Sequence, residues 1–206
     1  MSERGLHRRE VVARLLAERD EALLVVAGLG SSAWDVTAAG DHPLNFPLWG
    51  AMGGAAMIGL GVALAQPGRR VLVITGDGEM LMALGALATI AVQQPLNLAL
   101  VVLDNERYGE TGMQATHTAS GVDLAAVAAA CGFPLTAVVR DEAQLEAAGP
   151  QIRGAPGPSL HAIKVRADSL PFVLPPKDGA HLKDRFRAAL LGEGAEGRPA
   201  PAGTGR

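Results

Sequence analysis

Val71-Leu72-Val73-Ile74-Thr75-Gly76-Asp77-Gly78-Glu79, taken with Leu98-Ala99-Leu100-Val101-Val102-Leu103-Asp104-Asn105, decides the architecture of this chain. Each stretch opens as an unbroken apolar run and closes on oxygen-bearing side chains. Runs of β-branched residues and leucine without alternation fit strands covered on both faces, as in a parallel sheet. Twenty-five residues separate Gly78 from Asp104, room for a helical crossover back to the sheet. Both carboxyl-terminal strand ends then present an oxygen ligand, Asp77 and Asn105, to one crevice. Hard cations such as Mg²⁺ take that oxygen-only setting, completed by phosphate and water. Gly76 and Gly78 let a diphosphate approach the backbone at a helix amino terminus. The pair of stretches reads as a Mg-diphosphate site in outline.

Outward from this pair, strands and helices alternate. Apolar periodicity predicts a helix over 7–17, with Val11, Val12, Leu15 and Leu16 on one face and arginines opposite. A buried strand follows at 23–27. Ser31 or Ser32 can cap a helix reaching about Ala39. Asp41-His42-Pro43 reads as a turn and 46–49 as a short strand. A small-residue helix over 53–65 stops at Pro67-Gly68. Residues 79–92 form a helix apolar nearly all round, and hence buried. The segment 106–122 is a loop rich in Gly, Thr and His, of a length usually reserved for function. Beyond it come a helix at 124–131, a strand at 135–139, a helix at 142–152 and a strand at 159–165. An extended stretch at 171–176 and a helix at 182–191 complete the series. The expectation is one α/β domain over 1–191, three-layered α/β/α around a mostly parallel sheet. Residues 192–206, rich in Gly and Pro, are expected to be disordered.

Composition bounds the function. With 206 residues, 49% hydrophobic and 19% charged, the chain is globular. Its net charge of −3 argues against nucleic acid as a main partner. The single cysteine, Cys131, lies in an apolar helical stretch and reads as a buried small hydrophobe. No disulfide can form within the chain, which fits a reducing cytoplasm. Residues 1–10 are charged and lack a signal-peptide core, and no apolar run is long enough for a bilayer. A cytoplasmic protein without a membrane partner is expected.

Three further motifs carry chemistry. Gly28-Leu29-Gly30-Ser31-Ser32-Ala33 matches the dinucleotide pattern G-x-G-x-x-A. That pattern also wants an acidic residue about twenty positions on to hold a ribose. Trp49-Gly50-Ala51-Met52 stands there, and Asp41 comes too early. The segment therefore reads as a tight strand-to-helix turn. Trp49-Gly50-Ala51-Met52-Gly53 reads as another such turn with a core methionine. The third is Tyr108-Gly109-Glu110-Thr111-Gly112-Met113-Gln114-Ala115-Thr116-His117-Thr118, a polar loop directly after Asn105.

Together these residues resemble the pyrophosphate-binding domain of thiamine diphosphate enzymes, whose motif is GDG, some two dozen residues, then NN. The Asp104-Asn105 variant and the Thr-Gly-x-Gln-x-Thr loop are similar to the sulfopyruvate decarboxylase β subunit and to phosphonopyruvate decarboxylases. The resemblance runs from about 23 to 191. It implies thiamine diphosphate and Mg²⁺ as cofactors. Asp77, the side chain of Asn105 and the carbonyl of Arg107 would ligate the metal. Gly76 belongs to the motif, and the N–H groups of Gly78 and Glu79 would hold the diphosphate. The Glu79 side chain, where many relatives have serine, is given no role. Met52 matches the apolar wedge that bends the cofactor, and the carbonyl of Gly50 the acceptor for its amino group; Ala51 replaces the usual serine. Tyr108, Thr111 and Gln114 are cofactor or loop-closure candidates, with Thr116 and His117 further polar candidates.

The resemblance also implies what lies elsewhere. The glutamate that activates the cofactor belongs to a pyrimidine-binding domain, for which this chain has no room before Asp77. No catalytic residue is therefore assigned here; a pyrimidine-domain α subunit is expected as partner in a hetero-oligomer, acting on a small 2-oxo acid. Alternatives are a subunit of a thiamine carboligase or oxidoreductase, and a non-catalytic nucleotide-binding or regulatory module built on Gly28 to Ala33.

Overall fold

Residues 5–192 are described in the computed structural model of the chain, so the rest of the glycine- and proline-rich tail lies outside the described residues. The strands in chain order are β1 (Leu24–Ala27), β2 (Asn45–Pro47), β3 (Val71–Gly76), β4 (Leu98–Asp104), β5 (Arg107–Tyr108), β6 (Gln114–Ala115), β7 (Leu135–Val139) and β8 (Ser159–Lys164). The helices are α1 (Arg8–Ala17), α2 (Ser31–Ala38), α3 (Ala55–Ala65), α4 (Asp77–Met82), α5 (Leu84–Gln93), α6 (Leu124–Cys131), α7 (Glu142–Gly154) and α8 (Gly179–Leu191). Six strands make one wholly parallel sheet in the order β2-β1-β3-β4-β8-β7. β5 and β6 form a small antiparallel hairpin.

Alternate side chains of each central strand enter separate cores. Val71, Val73, Leu98, Leu100 and Leu160 pack with Leu60, Leu87 and Ala128 of α3, α5 and α6. Leu72, Ile74, Val101 and Ile163 pack with Val12, Leu15, Val36 and Ile152 of α1, α2 and α7. This is the expected three-layer α/β/α arrangement. It explains why β3 and β4 read as continuous apolar runs, since neither face meets water.

Several expectations are corrected in detail. The helix expected over 79–92 is broken at Ala83 (φ −121°, ψ 34°) into α4 and α5. Nor is it buried all round: Met82 and Val92 are 62% and 80% exposed. Neither serine caps α2; Gly30, with φ +75°, holds the cap position. The strand expected over 46–49 covers Asn45–Pro47, and the final helix begins at Gly179 rather than 182. Cys131 is only partly buried, packed against the first core. Arg8, expected among the exposed arginines of α1, is 4% exposed and pairs with Asp35. The segment expected as a loop at 106–122 holds the hairpin and two short 3₁₀ turns.

Two interior positions yield predictions. Gly59 of α3 rests on β3 so closely that a Cβ there would overlap Val73 Cγ2, and Val73 is stiff and fully buried. Gly59→Ala should lower the unfolding free energy by about 1–3 kcal/mol, the usual cost of overpacking, as read by urea titration. On β8, His161 is fully buried and neither ring nitrogen has a hydrogen-bond partner among the described residues. Burial, reinforced by Arg70, lowers its pKa to about 4. The neutral ring's stability is complete above the unfolded value near 6.5. It is lost as pH falls through that window, by about 3 kcal/mol in all. His161→Leu should flatten the acid limb of the stability profile, measured by urea unfolding at pH 7 and pH 4.5.

Candidate functional site

The chain runs from β1 outward to β2 and then back across β1 to β3. In open parallel sheets, ligands bind beyond the strand carboxyl ends where the order reverses in this way. A cavity of about 170 Å³ lies there. Leu29, Ser31 and Ser32 line it from the β1–α2 turn, the segment 76–79 from the β3–α4 turn, and Asn105 with the segment 107–111 from beyond β4. Met52, Arg8, Leu103 and Val165 complete the wall. The sheet thus brings Gly76, Asp77, Gly78, Glu79, Asn105, Arg107, Tyr108, Thr111 and Met52 to one crevice. Gly50 and Gln114 are not among the lining residues; Gln114 instead exchanges hydrogen bonds with Thr111 (3.0 and 2.8 Å).

Asp77 is 1% exposed at the first position of α4. Its Oδ2 accepts from Thr116 Oγ1 at 2.6 Å, and Thr118 Oγ1 stands between it (3.2 Å) and Asp104 Oδ1 (2.8 Å). Asp104 Oδ2 pairs with Lys164 Nζ at 2.7 Å, and Lys164 also reaches Glu106 at 2.9 Å. Two hydroxyls therefore link the carboxylates at the ends of β3 and β4. Burial raises the Asp77 pKa to about 6, Thr116 opposes the shift, and nearby Asp104 adds to it. Asn105 Oδ1 accepts the Arg107 backbone N–H at 3.0 Å, which fixes the amide at the base of the hairpin.

Tyr108 lies over Gly78: a Cβ on that glycine would stand 2.7 Å from the ring. The Met52 methyl group is 3.8 Å from the same point. Three of the four non-glycine residues with positive φ among the described residues, Ala51, Glu106 and Met113, belong to the segments around this crevice. Left-handed backbone at such residues costs about 1–3 kcal/mol and concentrates at functional sites.

The Glu79 side chain, to which the sequence assigned no role, has three hydrogen-bond partners. It is 4% exposed and accepts from Leu29 N–H (3.1 Å), Gly53 N–H (3.2 Å) and Thr75 Oγ1 (2.8 Å). Its carboxylate occupies the space a Cβ on Gly28 would need. Gly30 is matched in the same way by Glu110, whose Oε1 would lie 2.8 Å from an added Cβ. The glycines of the G-x-G-x-x-A turn are thus matched to two protein carboxylates. Burial raises the Glu110 pKa and Arg8 opposes it.

Sequence reasoning missed Arg8, Ser31, Ser32, Thr118 and Lys164. The signal for Ser31 and Ser32 was present, because their turn follows a strand at the point of reversal. Arg8 and Lys164 gave none; their partners Asp35 and Asp104 are distant in the chain.

Residues 29–163 match the family described as thiamine pyrophosphate enzyme, C-terminal TPP binding domain. The chain is 39% identical over 199 residues to a phosphonopyruvate decarboxylase of Streptomyces hygroscopicus, covering 92% of this chain and 49% of that protein. It is 44% identical over 128 residues to the sulfopyruvate decarboxylase subunit beta of Methanothermobacter thermautotrophicus, covering 62% of this chain and 68% of that one. Benzoylformate decarboxylase from Polynucleobacter necessarius superposes with a TM-score of 0.68 at 19% identity, over 81% of this chain and 34% of that one, a likeness of fold. The chain spans about half the length of the phosphonopyruvate decarboxylases it matches.

Proposed function

The chain belongs to the thiamine pyrophosphate enzymes through their C-terminal TPP binding domain, and from that premise we propose that it is the β-type subunit of a thiamine diphosphate- and Mg²⁺-dependent 2-oxo acid decarboxylase of the sulfopyruvate or phosphonopyruvate type. The observation that carries this reading is the meeting of Asp77, Asn105 and Met52 in one cavity at the point of strand reversal.

The donor chemistry fits the cofactor. Asp77 is a buried carboxylate with a raised pKa, hydrogen-bonded by hydroxyls, and a hard cation beside it would favour its ionised form. The first N–H groups of α4 have no partner within the helix and suit an anion. Asp77, the Asn105 amide oxygen and the Arg107 carbonyl would hold Mg²⁺. The Gly78 and Glu79 N–H groups would hold the diphosphate, with Gly76 shaping the turn. Met52 would support the organic part, and the Gly50 carbonyl would accept from its amino group. Tyr108, Thr111 and Gln114 would close the loop and exclude water. Thr116 and Thr118 orient the Asp77 carboxylate. When bound, the thiazolium ring supplies the electron sink for loss of CO₂ from a 2-oxo acid.

The activating glutamate would come from a pyrimidine-domain α subunit, in a cytoplasmic hetero-oligomer. No helix among the described residues is long and apolar enough to cross a membrane. The dinucleotide reading of Gly28 to Ala33 loses support because protein carboxylates fill the space beside both glycines. Iron–sulfur chemistry of an oxidoreductase subunit finds one cysteine, Cys131, in the sequence.

Affinity capture from native cells, followed by mass spectrometry, tests the assembly. The expected result is stoichiometric recovery of a small pyrimidine-domain protein, whose complex with this chain releases CO₂ from sulfopyruvate or phosphonopyruvate when thiamine diphosphate and Mg²⁺ are added. A self-associated chain that stays inert with both cofactors would refute the decarboxylase reading.

A further inference from the structure

Glu79 occupies an unusual place in the crevice. It sits in the turn that carries Asp77 and Gly78, yet its carboxylate is taken up by donors of the protein itself. Its three donors belong to three separate segments. Leu29 N–H lies in the β1–α2 turn, Thr75 Oγ1 at the end of β3, and Gly53 N–H directly after Met52. The turn at Gly53 is conformationally demanding: Ala51 has φ +58° and Gly53 φ +92°. Such a turn persists only where its surroundings hold it. Gly53 N–H finds that hold in Glu79 Oε1, and Gly28 has no side chain where Oε2 lies.

We propose that Glu79 is a positioning residue that sets Met52 against the Asp77-Gly78 turn, and so fixes the spacing between the diphosphate site and the support for the cofactor's organic part. This rests on the cofactor reading given above and extends it to a side chain outside the Mg-diphosphate motif. The carboxylate suits the task because it accepts from both backbone N–H groups at once. A glutamine has one acceptor oxygen, and its amide N–H₂ would face the other N–H donor. An aspartate is one methylene shorter and cannot span both.

The test compares Mg²⁺-dependent binding of thiamine diphosphate and of inorganic pyrophosphate by calorimetry on the full chain. It uses wild type, Glu79→Gln, Glu79→Asp, Met52→Ala and the Glu79→Gln/Met52→Ala double variant. Two glutamate variants keep the test open should one fail to fold. Loss of a buried acceptor should weaken thiamine diphosphate binding about tenfold or more. Pyrophosphate binding should stay within about twofold, because the proposed contacts are the Gly78 and Glu79 backbone N–H groups and the Mg²⁺ held at Asp77, none of which a change of the Glu79 side chain removes. In the Met52→Ala background the glutamate change should add less than about twofold, the mark of residues acting as one unit. Equal weakening of both ligands, or full additivity in the double variant, would overturn the proposal and leave Glu79 a general brace. Failure of wild type to bind either ligand with Mg²⁺, both alone and with its captured partner, would overturn the cofactor reading itself, and this inference with it.

Discussion

Asp77→Asn should abolish Mg²⁺-dependent binding of thiamine diphosphate and at the same time stabilise the ligand-free chain. The two effects share one cause. Asp77 is 1% exposed and near Asp104, and burial lifts its pKa to about 6. A carboxyl raised in the folded state is fully tolerated below the unfolded value near 3.8. Its ionisation then costs stability as pH rises through 6, about 3 kcal/mol in all. Asparagine removes that cost and can still accept from Thr116 Oγ1 and Thr118 Oγ1. Ligand-free Tm at pH 7.5 should rise by roughly 6–12 °C, with little change near pH 4. At the proposed site Mg²⁺ would then lose its one charged ligand from this chain, and cofactor affinity should fall by about 100-fold or more. Calorimetric titration with differential scanning at both pH values checks the pair. Retained Mg²⁺-dependent affinity would remove Asp77 from the metal site.

Asp35→Ala should be among the most destabilising single changes in the chain. Asp35 is fully buried on α2 and pairs with Arg8, itself 4% exposed, and with Arg9 at 3.0 Å. Removing one partner strands a buried guanidinium, and such losses run to about 3–5 kcal/mol. That is a large share of a typical domain's 5–15 kcal/mol. Arg8 would keep only its bond to the Ser31 carbonyl at 3.3 Å among its described hydrogen bonds. The double change Arg8→Met/Asp35→Leu should recover much of the loss, because an apolar pair of similar volume needs no counter-charge. Urea unfolding of the three variants gives the answer, and a mild Asp35→Ala would show that water reaches Arg8. The pair also touches function, since Arg8 lines the cavity and ties α1 to the start of α2.

The central sheet was readable because its residues answer to one local rule. β3 is apolar from Val71 to Ile74 and β4 from Leu98 to Leu103, and both their faces are covered. Asp77 and Asn105 were readable for a related reason: position at a strand end follows from counting along the chain. The break at Ala83 was not readable, because residues 79–92 are apolar on both sides of it and the one nearby glycine, Gly85, lies within α5. The exposed face of α5 hid behind the same uniformity, with Val92 as apolar as the buried Ile90. The roles of Glu79, Thr118 and Lys164 depend on partners 14 to 60 positions away or brought in by other turns. Pattern along the chain carries no record of such encounters.

Glu110 fills the hollow beside Gly30 with its own carboxylate, opposite Arg8. An anion arriving at the start of α2 therefore enters as a competitor, and the rival is tethered to the same molecule. Its apparent dissociation constant is the intrinsic one divided by the fraction of molecules whose hollow is open. Affinity for any such ligand is thus set twice, once by the contacts it makes and once by how readily a single glutamate leaves.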